Sequence, residues 1–281
     1  MTIRDLVVHL GGRPAASDAR LDAALALARS FDARLVALAL AAEPFLPAEI
    51  GLHLPQELIR RQREEATAQA AAILAAAANR ARDAGVTLET RAVTAQLGRL
   101  PDLLARQVRS FDLAVVGQPD PEDEDGIAEP LAEAAFMASG RPALVVPYIG
   151  PRAMPPERVI VAWDGSAEAT RACHDALPLL ARAARVAVAV GDPEKLAGKA
   201  GDPPGAEIAA HLARHGAKAE IVSLPSAGLP VGDVLLDLAA DNGADLIVMG
   251  GYGHARLREI VLGGTTRHLL GRMTVPVLLA H

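Results

Sequence analysis

Apolar residues along this chain fall into short, mostly aliphatic runs separated by longer stretches in which they recur every three or four positions. In the second half the runs at 158–163, 185–190, 218–224, 244–250 and 275–280 predict strands, several apolar enough to be buried on both faces. The intervening periodicity predicts helices over 167–183, 204–215, 231–242 and 258–271. Strands alternating with helices imply an α/β fold whose parallel sheet is covered on both sides. Such sheets bind ligands beyond the carboxyl ends of their strands, where the strand order reverses.

The pattern is written twice. Phe111 to Gly117 reads against Ala244 to Gly250, Arg141 to Pro147 against Thr274 to Leu279, and Leu6 to Gly12 against Val159 to Gly165. The chain divides into a first domain at 1–147, a linker at 148–157 stiffened by Pro151, Pro155 and Pro156, and a second domain at 158–281. The first domain carries an insertion near 42–65. Its second strand, Arg34 to Leu40, leads into the proline-broken segment Ala41 to Gln62, ahead of an Ala-rich helix that extends toward Asn79. Packing onto its own domain is the ordinary role of such a segment; a lid or a partner surface is the sharper one.

The 281 residues suit two modest domains, each able to bury a core. A net charge of −6 and a pI near 5.8 argue against nucleic-acid binding, which needs a basic face. The single Cys173 can form neither an intramolecular disulfide nor a thiolate cluster, and reads as a small core residue in a reducing compartment. An acidic start without a signal-peptide pattern, and apolar runs too short to span a bilayer, lead us to expect a cytoplasmic protein without membrane association.

Chemistry concentrates near the end. The strand ending at Met249 runs into Gly250-Gly251-Tyr252-Gly253, answered by Gly263-Gly264-Thr265-Thr266 at the start of a helix. Glycine lets backbone N–H groups approach an anion closely, and a helix start adds the positive end of its dipole. Asp164-Gly165-Ser166 follows the first strand of the same half.

These repeated strands, the Asp164-Gly165-Ser166 turn and the glycine spacing from 250 to 264 resemble the universal stress protein family, in its tandem form with two domains on one chain. The resemblance implies two Rossmann-like, adenine nucleotide alpha hydrolase-like domains, each with a five-stranded parallel sheet, their terminal strands pairing the domains into an intramolecular pseudo-dimer. It also implies ATP, with Mg²⁺, as cofactor. Gly250, Gly253, Gly263, Gly264 and Thr265 then lie on the phosphate side, and Asp164 toward the sugar and the metal. Gly165, His254, Arg256 and Thr266 complete the candidate set. One departure stands out: the family has Ser or Thr directly after the third glycine, where this chain has Gly264, with Thr265 one place later.

The first domain's counterpart reads as degenerate. Gly11 stands where Asp164 stands, and Gly117 is followed by five carboxylates between Asp120 and Asp125. One nucleotide per chain is therefore expected. In the second domain Arg256, Arg258, Arg267 and Arg272 face Glu259 alone; a salt-bridged helix face is their ordinary reading, with Arg256 and Arg258 as candidates because they lie between the glycine turns. Tyr252 could cover a base. His211 and His215, four apart on a helix, lack a third metal ligand nearby in sequence, and Ser166 reads as a helix cap.

No Gly-x-x-x-x-Gly-Lys-Ser/Thr loop, zinc-protease motif or nucleophile elbow is present. The leading reading is a stress-response regulatory protein that binds an adenine nucleotide and acts through conformational change or a partner. Alternatives are an interaction module of the same fold without nucleotide, and a slow ATPase or nucleotidyl-transfer enzyme. Homodimerisation beyond the pseudo-dimer is a further expectation.

Overall fold

The computed structural model describes residues 2–43, 56–119, 126–149, 153–191, 205–224, 228–252 and 264–281. The first half contains β1 (Asp5–Leu10), α1 (Pro14–Phe31), β2 (Arg34–Glu43), α2 (Gln56–Asp83), β3 (Leu88–Gln96), α3 (Leu100–Val108), β4 (Leu113–Gly117), α4 (Ala128–Met137) and β5 (Ala143–Val146). The second contains β6 (Arg158–Trp163), α5 (Ala167–Leu180), β7 (Arg185–Gly191), α6 (Ala206–Arg214), β8 (Ala219–Leu224), α7 (Val231–Asp241), β9 (Leu246–Gly250), α8 (Thr265–Arg272) and β10 (Val277–Ala280).

The ten strands of the described residues join one sheet in the order β3-β2-β1-β4-β5-β10-β9-β6-β7-β8. Each half is parallel, and the halves meet at a single antiparallel pair, β5 with β10, in which Leu144 faces Leu278. The expected pairing of the terminal strands is thus present within one chain. Closing the two apolar inner strands against each other also removes edges that would otherwise invite pairing with another chain. The outer edges, β3 and β8, carry Glu89, Arg91 and Glu220 and are largely exposed.

The strands are apolar throughout because both faces are covered. Along β1, Leu6, Val8 and Leu10 face one layer and Val7 the other; along β2, Leu35, Ala37 and Ala39 oppose Val36 and Leu38. The first layer is α1, α2, α5 and α6; the second is α3, α4, α7 and α8. Both cores therefore run across the two halves. Cys173 is fully buried in α5, where burial, then nearby Asp164, pushes its thiol up to about 12.

Two boundaries differ from expectation. The Ala-rich helix begins at Gln56, just after Pro55, and reaches Asp83, so 56–65 is helix rather than proline-broken loop. Residues 44–55, the remainder of the expected insertion, lie outside the described residues, as do the acidic positions 120–125. Among the described residues no helix is long and apolar enough to cross a membrane.

Candidate functional site

Strand order reverses twice, between β1 and β4 and between β6 and β9. In the second half β6 and β9 are adjacent and parallel, with Val161 opposite Val248, so the turn after Trp163 and the glycine turn after Met249 emerge side by side. Ser166 N–H donates to Asp164 Oδ1 at 2.9 Å, and Ser166 Oγ accepts from Ala169 N–H at 3.1 Å. Ser166 is therefore the cap of α5, as its position after a turn predicts. Gly165 adopts φ +77°, a left-handed geometry that suits glycine. Asp164 is exposed at the sheet end.

Gly250 has a packing reason to be glycine. A Cβ there would lie 2.6 Å from Ala169 N, in the backbone at the start of α5. Beyond it, Gly251 N–H donates to Ala280 O at 2.9 Å, and Tyr252 turns into the left-handed region at φ +54°. Tyr252 N–H then donates to Thr266 Oγ1 at 3.2 Å, which ties the glycine turn to the first turn of α8. Thr266 is buried, while Gly264 and Thr265 sit at the start of that helix. The structure thus gathers Asp164, Gly165, Gly250, Gly264, Thr265 and Thr266 at one end of the sheet. Gly253, His254, Arg256 and Gly263 lie outside the described residues.

Tyr252 does not wait over a base. Its ring stacks on Phe136 of α4, and its hydroxyl donates to Glu133 of the same helix. Burial, then Glu133, pushes the phenol well above its ordinary pKa. The reason is the β5–β10 pairing, which brings α4 of the first half against the second half's glycine turn. A Cβ on Gly251 would come within 2.5 Å of the Phe136 ring. The contact is reciprocated: Gln118, after β4, donates from Nε2 to Leu270 O of α8 at 2.9 Å and accepts from Tyr148 N–H.

The arginines of α8 follow their ordinary reading. Arg267 pairs with Glu129 of α4 at 2.6 Å and Arg272 with Asp233 at 3.4 Å. His211 and His215 acquire a third ring, His174 of α5, with successive centroids 4.9 and 4.6 Å apart. Burial, then repulsion from His174, His215 and Arg214, holds His211 below its ordinary pKa. Among the described residues no group of three His, Cys, Asp or Glu side chains is disposed to hold a metal ion.

Residues 156–281 match the family model described as Universal stress protein family. A universal stress protein of Synechocystis is 28% identical over 252 residues, spanning 83% of this chain and 82% of that protein. The second half is thus similar to the universal stress protein family, and the chain as a whole resembles its Synechocystis relative. The crystal structure of a universal stress protein from Archaeoglobus fulgidus shares the fold at a TM-score of 0.71 and 16% identity, covering 98% of this chain and 96% of the other. A shorter likeness, 37% over 51 residues, relates the chain to a universal stress protein of Methanocaldococcus jannaschii, covering 18% of this chain and 31% of that one. The family model falls on the half that carries Asp164 and the glycine turns.

The reading from sequence missed two features. One is the set of contacts from α4 to the glycine turn. The other is a cavity at the first switch point, built around His9 and Arg20.

Proposed function

We propose that this chain is a universal stress protein, a regulator that binds an adenine nucleotide, ATP with Mg²⁺, in its second half. The observation that carries the reading is the juxtaposition of an exposed carboxylate, Asp164, with the glycine turn at Gly250 across two adjacent parallel strands, at the point where strand order reverses. Backbone amides of the turns around Gly250, Gly253, Gly263 and Gly264, with the start of α8 at Thr265, suit phosphate oxygens. Asp164 suits a ribose hydroxyl or Mg²⁺ and would repel bare phosphate. His254 and Arg256, between the glycine turns, add polar reach.

Occupancy has a physical route to an output. The residue after the paired glycines is Tyr252, which is stacked on the other half. A ligand that binds better when this turn is held in one geometry shifts the population of the α4 contact. The protein works in the cytoplasm as one chain or as a homodimer of such chains. Hydrolysis is slow or absent, because no lysine lies anywhere between Gly250 and His281 to neutralise charge on a transferring phosphoryl group.

The commitment of Gly251, Tyr252 and Thr266 to internal packing favours a second reading, an interaction module without nucleotide. Acid extraction of the purified protein after incubation with ATP and Mg²⁺, followed by ion-exchange chromatography, separates the two. Retained adenine nucleotide at one equivalent per chain supports the first; none retained supports the second.

A further inference from the structure

At the other switch point, between β1 and β4, a cavity of about 560 Å³ opens at the carboxyl ends of the strands. Leu40 of β2, Ala70 and Ile73 of α2, Leu100 of α3, Val116 of β4 and Leu131 of α4 form its aliphatic walls. Its volume is within the ~300–1,000 Å³ typical of small-molecule sites.

Beside Gln69 and Gln118, α1 delivers Arg20 into this cavity, only 7% exposed. Its Nη2 donates to Gly11 O, while its Nε is buried without a partner. Among the described residues no carboxylate forms an ion pair with it. Burial lowers the guanidinium only to about 10, so it remains a cation at neutral pH. His9, at the end of β1, also lines the cavity; burial, then Arg20, holds its imidazole neutral.

The repeat shows that this arrangement replaces another. In the alignment of β1 and α1 with β6 and α5, Gly11 stands where Asp164 stands and Arg20 stands where Cys173 stands. An acid has been lost and a buried cation gained. Gly117 makes room for it, since a Cβ there would collide with Arg20 Nη1. The first half is therefore rebuilt around a positive charge rather than merely worn down.

A buried guanidinium without a counter-charge is costly, and an anion seated against it offsets that cost. Arg13 also lines the cavity but is exposed and stands over the Tyr148 ring, so the buried charge is that of Arg20; beside a neutral imidazole it balances a single negative charge, not the several of a nucleoside triphosphate. Aliphatic walls select an apolar body. We propose that this cavity binds a medium-sized monoanionic carboxylate, its carboxylate on Arg20 and His9 and its hydrocarbon portion between α2 and α4. The site is separate from the nucleotide site of the second half and does not depend on it.

The test is calorimetric titration of the full chain with octanoate, octanol and Mg-ATP, on the wild type, Arg20→Met and Ala66→Phe. Ala66 is a half-buried cavity-wall residue on α2, so the larger ring fills space without touching the charge. Octanoate should bind the wild type at one equivalent, octanol at least about tenfold more weakly, and both variants should lose octanoate. Bound octanoate should not be displaced by Mg-ATP. No octanoate binding, equal binding of octanol, unchanged octanoate affinity in a folded variant, or displacement by Mg-ATP would each overturn the assignment.

Discussion

The phenol ring of Tyr252 lies nearly parallel to the ring of Phe136, with centroids 6.1 Å apart and planes inclined by 12°. One ring follows the glycine turn after β9 and the other belongs to α4, so the proposed nucleotide turn is in direct contact with the opposite half of the chain. In a double-mutant cycle combining Tyr252→Ala with Phe136→Ala, urea unfolding should give a coupling energy of about 0.5–1.5 kcal/mol. Strict additivity would mean that the stack carries no stability.

Gly250 separates packing from ligand binding. Because a Cβ at this position meets the backbone of α5 rather than a movable side chain, Gly250→Ala should cost roughly 1–3 kcal/mol of stability. Thermal unfolding checks this. A variant as stable as the wild type would mean that the strand end and the start of α5 can move apart freely.

The cap on α5 gives a smaller effect. Ser166→Ala removes the oxygen that accepts from Ala169 N–H and should destabilise the protein by about 1 kcal/mol, read from the urea midpoint. An unchanged midpoint would show that the Asp164 turn alone fixes the helix start.

His9 makes acid stability distinctive. Its folded pKa is pushed down from 6.5 to about 3, so the unfolded chain takes up a proton over that interval and the folded chain does not. The contribution is fully present above pH 6.5 and is lost as pH falls toward 3, by at most about 1.4 kcal/mol per pH unit. Unfolding free energies at pH 7.5, 6.0 and 5.0 should fall more steeply for the wild type than for His9→Gln. Parallel curves would contradict a neutral, half-buried His9.

Much of this architecture is legible in the chain. Runs such as Val159 to Val161 and Leu246 to Met249 are apolar on both faces because helices cover both, and the twofold repeat locates the paired β5 and β10. The helix over 56–83 is less legible, since Pro44, Pro47 and Pro55 obscure where the loop ends. The place of Tyr252 is not legible at all: nothing local to it signals Phe136, which belongs to the other half of the chain and arrives only through the pairing of β5 with β10. Arg20 was within reach. It lies on the same α1 stripe as Ala24 and Leu27, both fully buried, but an arginine on such a stripe reads most simply as a solvated interruption.

The central claim is one adenine nucleotide held by the second half through backbone amides. Calorimetric titration of Mg-ATP into the wild type, Gly253→Val and Gly263→Val tests it most directly. The account predicts a stoichiometry of one per chain in the wild type and loss of binding in both variants, with the folded state retained. Two equivalent sites, no binding, or wild-type affinity in both variants would contradict it.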